Sequence, residues 1–244
     1  MTSSPVTIGA RDALNPRNEV SAEERRQRWR ELCLVLLVAF GGSVLRSAYV
    51  LKVGPSIEPQ VSSMRWVVGV VHEGTALLLL GYVLSRRGLK LSSLGLRWSF
   101  RDASIGLLVT VVSYASYIFG YTLIQTVHYL VYGGWSTWPT AKDFFPHVSF
   151  AAIPFFLLNP FFEELVVRAY LMTEVMELTG SSALAVALSV GVQFAYHLYY
   201  GWVGAISLCF FFLALALYFA RSRRALPIII AHACLDMYGL IRLW

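Results

Sequence analysis

Seven stretches of this chain are mostly apolar and long enough to cross the hydrocarbon core of a bilayer as a helix, which takes roughly 20 residues. They fall at 32–51, 66–84, 105–124, 150–171, 183–200, 202–220 and 226–244. The third run continues past Gln125 to Tyr132, which leaves room for an eighth short or re-entrant element. Backbone inside lipid must satisfy its own hydrogen bonds, so only helices or a closed barrel can span. Barrel strands read as short alternating segments, and these runs are continuous. Composition agrees: 57% of the 244 residues are hydrophobic and 14% charged. Soluble domains carry about a quarter charged residues, so a soluble fold could not hide this much apolar surface. The expected fold class is an all-α integral membrane bundle of about seven or eight transmembrane helices around a buried polar active site.

The charges that remain are unevenly placed. Arg11, Arg17, Arg25, Arg26, Arg28 and Arg30 precede the first apolar run. Arg86, Arg87, Lys90, Arg97 and Arg101 follow the second, and Arg221, Arg223 and Arg224 follow the sixth. With seven spans, all three groups lie on one side, and the excess of Lys and Arg in short loops makes that side cytoplasmic. The N-terminus is therefore expected in the cytoplasm. Glu174 and Glu177 break the pattern, as an acidic loop on the basic side. The net charge of +6 restates this asymmetry and gives no reason to expect a nucleic-acid partner. The basic set is mostly Arg, a bias of GC-rich prokaryotes, which suggests a prokaryotic cytoplasmic membrane.

Three regions are expected. Residues 1–31 form a cytoplasmic N-terminal arm, disordered at first and then a basic amphipathic helix whose start is marked by the capping box Ser21-Ala22-Glu23-Glu24. Residues 32–148 hold the first transmembrane helices and loops, including an outer loop at 133–147 rich in Trp and Pro. Residues 149–244 form the C-terminal transmembrane core, where ionisable residues enter the apolar runs. Cys33, Cys209 and Cys234 all sit in apolar runs and read as small buried hydrophobes.

A charge at mid-membrane costs at least a few kcal/mol, so an ionisable residue inside a span marks function by default. The fourth span carries Asn159-Pro160-Phe161-Phe162-Glu163-Glu164-Leu165-Val166-Val167-Arg168. Glu164 and Arg168 are four apart on one helix face and can pair. Glu163 points about 100° away and is left without a partner on its own helix, as a general base or acid requires. Pro160 frees a carbonyl and kinks the helix, either for packing or to open a water-filled cavity just before Glu163. The fifth span ends in Gln193-Phe194-Ala195-Tyr196-His197, and the last contains His232-Ala233-Cys234-Leu235-Asp236. His232 and Asp236 also share a face, so the carboxylate can hold the imidazole or both can face one centre. His72-Glu73 in the second span is a further ionisable pair, either an accessory pair near the outer surface or a structural one, and the one feature that favours a non-enzymatic membrane protein.

Glu163-Glu164-x-x-x-Arg168, a His ending the next span, and a His followed four residues later by an acid resemble the CPBP family, the CAAX-protease and bacteriocin-processing membrane proteins, also called the ABI family. The resemblance covers roughly residues 150–236, with Leu91-Ser92-Ser93-Leu94-Gly95-Leu96-Arg97 as an upstream likeness. Two departures stand out. The family's Phe lies four residues before the His, where this chain has Gln193, with Phe194 one place later. The third motif ends in Asp236 where many relatives carry Asn, which suits orienting His232 or a metal better than donating to an oxyanion.

The resemblance implies an intramembrane endopeptidase acting on membrane-associated peptides or proteins, prenylated or of signal type. Glu163 and His197 would hold and deprotonate a water, His232 would stabilise the oxyanion with help from Asp236 or a backbone donor, and Glu164 and Arg168 would orient them. No cofactor is favoured. A zinc-dependent version of the same protease stays open, because Glu, His and Asp are all zinc ligands, although the His-Glu-x-x-His signature is absent. A transporter, immunity protein or scaffold is the alternative of another class. Inverted repeats, which a transporter often shows, are not visible.

Overall fold

The computed structural model describes residues 21–54, 63–136 and 148–243, and these form helices joined by short connections. No strand occurs among them. The segment before residue 21, expected to be disordered, and most of the 133–147 loop lie outside the described residues.

Helix α1 spans Ala22–Val53. The Ser21 side chain caps it, accepting from the Glu24 N–H at 3.1 Å, and Glu23 and Glu24 complement the positive end of the helix dipole. No Gly or Pro occurs between Ser21 and Gly41 to break it. The basic helix expected at the end of the N-terminal arm is continuous with the first long apolar helix, as the first turns of α1. Helix α2 covers Ser63–Arg86, and a 3₁₀ turn follows at Leu91–Leu94. Helix α3 runs Phe100–Tyr132 without interruption, so residues 125–132 extend the third helix and form no re-entrant element of their own.

The central rod has three parts in one line: α4 at Ala152–Glu163, a π-helical segment at Glu164–Met172, and α5 at Thr173–Thr179. The switch in helix type falls between the two glutamates. π-helical turns are rare and frequently sit at functional sites. Helix α6 (Ser182–His197) is joined to α7 (Gly201–Ser222) by a single 3₁₀ turn at Leu198–Tyr200, and α8 (Ala225–Leu243) closes the bundle.

Among the described residues, five stretches are long and apolar enough to cross a membrane: Ala22–Val53, Met64–Arg86, Phe100–Tyr132, Ser182–Ser222, which contains both α6 and α7, and Ala225–Arg242. The central rod is not among them, because Glu163, Glu164 and Arg168 interrupt its apolar run. It is also the most enclosed element. Every residue from Glu164 to Met172 is buried, packed among α1, α6, α7 and α8. The outer helices keep large apolar side chains on the surface, such as Leu45, Leu78 and Leu130, as a lipid-facing wall requires. Small residues let such helices approach closely. On α3, a Cβ added at Gly106 would come within 2.8 Å of Ile230 on α8, and one at Gly120 within 2.3 Å of Phe210 on α7.

Ion pairs tie one end of the bundle together. Glu174 accepts from Arg28 Nε at 2.8 Å and from Arg87 Nη1 at 2.9 Å. Arg28 also reaches Glu177 at 2.6 Å, and Arg87 also pairs with Glu31. The two acids that broke the basic pattern are thus the counter-charges of that same end. Arg224 meets Asp102 there at 2.5 Å. Gly95 joins the connection to this end: it adopts φ +82°, and its carbonyl accepts from Ala225 N at 3.1 Å.

Candidate active site

Glu163 ends α4 and is 5% exposed. Its Oε1 accepts from Asn159 Nδ2 at 3.2 Å, and its Oε2 accepts from Gln193 Nε2 at 3.2 Å and from the Tyr196 hydroxyl at 2.5 Å. The same hydroxyl also contacts Gln193 Oε1. The expectation that Glu163 has no partner on its own helix is corrected. Asn159 lies one turn earlier, and its side chain folds forward onto the carboxylate.

Glu164, the next residue, faces another group of side chains. Its Oε1 lies 3.1 Å from Arg168 Nη1 and 2.7 Å from His232 Nδ1. Arg168 is fully buried, and its guanidinium sits 4.9 Å from the centre of the Phe212 ring. A carboxylate accepts, so His232 carries its proton on Nδ1, and the imidazole is aligned from that side by Glu164. The other nitrogen, Nε2, lies 3.6 Å from Asp236 Oδ1 and 3.9 Å from Glu163 Oε2. Both distances exceed a hydrogen bond. Asp236 therefore faces His232 without a hydrogen bond to it, and the side chain hydrogen-bonded to the His232 ring is that of Glu164.

His197 ends α6. Its Nδ1 donates to the Gln193 carbonyl at 2.8 Å, which leaves Nε2 as the basic nitrogen. Its ring packs on Tyr196 and Phe212 with centroids 4.4 and 5.0 Å away. Phe194, one place off the family's aromatic position, packs on Trp202 instead. Gln193, which replaces that aromatic, is fully buried against Glu163.

Glu163, His197, His232 and Asp236 line one cavity of about 450 Å³. Glu73, Asn159 and Tyr196 line it too, and the reading of the sequence gave none of them a place at the site. The sequence shows Glu73 only as half of the His72-Glu73 pair, with an accessory or a structural reading. Tyr196 sits beside His197 and three residues after Gln193, a spacing that puts Gln193 and Tyr196 on one helix face. The cavity also reaches Arg46 on α1 and Arg65 on α2. Among the described residues, no three His, Cys, Asp or Glu side chains converge as a ligand set for a metal ion.

Residues 145–238 match the model of a family described as type II CAAX prenyl endopeptidase Rce1-like. This segment belongs to the CAAX protease family. The CAAX-protease segment contains both glutamates of the central rod, Arg168, Gln193, Tyr196, His197, His232 and Asp236. Glu73 lies outside it. The chain is thus a membrane protein carrying a protease-family domain. No curated protein and no solved structure matches the chain.

Proposed function

We propose that the chain is an intramembrane endopeptidase that hydrolyses peptide bonds of membrane-associated substrates, with a water activated by Glu163 and His197. The observation that carries this reading is the placement of Glu163: a buried carboxylate facing a cavity, clamped by three side-chain donors, with the Glu164-bound imidazole of His232 beyond it. In the proposed step, Glu163 takes a proton from water, helped by the free Nε2 of His197, and the resulting hydroxide adds to the scissile carbonyl. His232, as imidazolium, donates from Nε2 to the oxyanion. The proton held by Glu163 passes to the leaving amine as the C–N bond breaks. Fixed dipoles in a site closed to bulk water supply the largest share of such catalysis.

Glu164 and Arg168 act behind His232 by fixing its ring. Asp236, close to Nε2, balances the charge on the imidazolium. No metal is needed in this scheme. A stoichiometric ion in purified active protein, lost together with activity, would move the mechanism to its zinc-dependent form. The basic end lies in the cytoplasm, and the membrane is the cytoplasmic membrane of a prokaryote.

Profiling of peptide termini in cells carrying wild type or Glu163→Ala tests the function directly. New termini are expected with wild type and not with Glu163→Ala, at equal membrane abundance of the two proteins. Identical termini from both would overturn the hydrolytic reading.

A further inference from the structure

Glu73 lies on α2, 3% exposed, at the wall of the same cavity. Its Oε1 accepts from Asn159 Nδ2 at 2.9 Å, and that nitrogen also donates to Glu163 Oε1 at 3.2 Å. An amide nitrogen carries two hydrogens. Asn159 gives one to each acid, so Glu73 and Glu163 are linked through a single atom.

Helix packing does not account for this carboxylate. A charge buried in a span is costly, and α2 already meets α4 through apolar contacts. Trp66 lies 5.3 and 5.5 Å from the rings of Phe155 and Phe156, and Gly69 packs closely on Phe155. The neighbouring His72 serves a different joint, with Nε2 donating to the Ala39 carbonyl of α1 at 2.9 Å. The position of Asn159 explains what Glu73 adds. Pro160 follows it, and a proline inside a helix removes a backbone hydrogen bond and loosens the turn. Where the proline takes a backbone bond from α4, a carboxyl on a second helix accepts from the side chain that also donates to Glu163.

We infer that Glu73 is a positioning residue of the hydrolytic site: by fixing Asn159 from α2, it holds the Glu163 carboxylate toward the cavity. The inference rests on the proposed role of Glu163 and extends the site to a helix outside the protease-family segment.

The test is a double-mutant cycle in the full-length protein in cells, read as the rate at which wild-type-dependent new termini appear after induction. Glu73→Leu and Asn159→Leu should each slow that rate by about 10- to 100-fold, the range for losing a hydrogen bond to a charged group. The double variant should be no slower than Asn159→Leu alone, because both changes break one linkage. Glu73→Gln keeps an oxygen that accepts from Asn159 and should stay within about threefold of wild type. Membrane abundance and unfolding temperature are compared for every variant. If Glu73→Leu does not accumulate, Glu73→Met, of similar length and without the acceptor, replaces it. Wild-type rates for Glu73→Leu, multiplicative losses in the double variant, or a Glu73→Gln variant as slow as Glu73→Leu would each overturn the inference. If Glu163→Ala itself produces the new termini, the hydrolytic reading falls and this inference with it. If Glu163→Ala is silent while Glu73→Leu runs normally, only the role of Glu73 is lost.

Discussion

Three side chains donate to the Glu163 carboxylate, and Tyr196 makes the shortest of these contacts. Removing that hydroxyl removes a charge-assisted hydrogen bond without changing the ring that stacks on Phe40, with centroids 4.7 Å apart. Tyr196→Phe should therefore lower turnover by about 10- to 100-fold with little effect on folding. Rates of substrate processing compared with the unfolding temperature would check this, and unchanged turnover would separate Tyr196 from the chemistry. The ionisable members of the cavity stood out in the sequence because charge inside an apolar run is conspicuous. Glu163, Glu164, Arg168, His197, His232 and Asp236 were singled out on that ground. Of their neutral partners only Gln193 stands out, as the departure from the family's aromatic position, while Asn159 and Tyr196 do not, since Asn and Tyr in a helix have many ordinary uses. Asn159 is four residues before Glu163, within reach by helical spacing, but in the sequence it reads with Pro160 as part of a kink. Glu73 was visible as a charge but not as a neighbour, because its link to Asn159 crosses 86 residues.

At the scale of elements, the helix positions followed from run length, while the helix type within the central rod did not. A π segment arises from how a helix is held by its surroundings, and nothing in Leu165-Val166-Val167 announces it. The pairing of Glu174 was equally hidden, since Arg28 and Arg87 come from distant parts of the chain. Here the structure turns an anomaly of charge into a joint between α1, the α2–α3 connection and α5. The Glu174 side chain is 3% exposed, so removing it leaves two guanidinium groups short of a buried partner. Glu174→Ala should destabilise the protein by about 3–5 kcal/mol, the cost of breaking a buried ion pair from one side. Thermal unfolding in detergent would show it. Glu177→Ala, whose side chain is 53% exposed, is the matched control and should cost about 1 kcal/mol or less. Equal losses from the two variants would show that burial does not set the strength of this joint.

Across the described residues, the two ends of the bundle differ in their access to the cavity. Arg28 and Arg46 are 18 residues apart on α1, about 27 Å at the rise of an α-helix, which nearly matches the hydrocarbon core of a bilayer. The cavity reaches Arg46 and Arg65, whereas none of Arg28, Arg87, Glu174 or Arg224 lines it. With the basic end in the cytoplasm, an Arg46→Cys variant lacking the three native cysteines should react with an impermeant maleimide from outside intact cells. Arg86→Cys should react only after permeabilisation, and the reverse pattern would invert the proposed orientation. The central rod adds a consequence for biogenesis. Each charge at the middle of a nascent span opposes release from the translocon into lipid by about 2.5–3.5 kcal/mol. Arg168 can neutralise Glu164 within the rod, but His232, the other partner of Glu164, is synthesised 68 residues later. The rod therefore does best to remain beside protein, rather than lipid, until α8 emerges. Synthesis of the last helix is what allows the central one to settle.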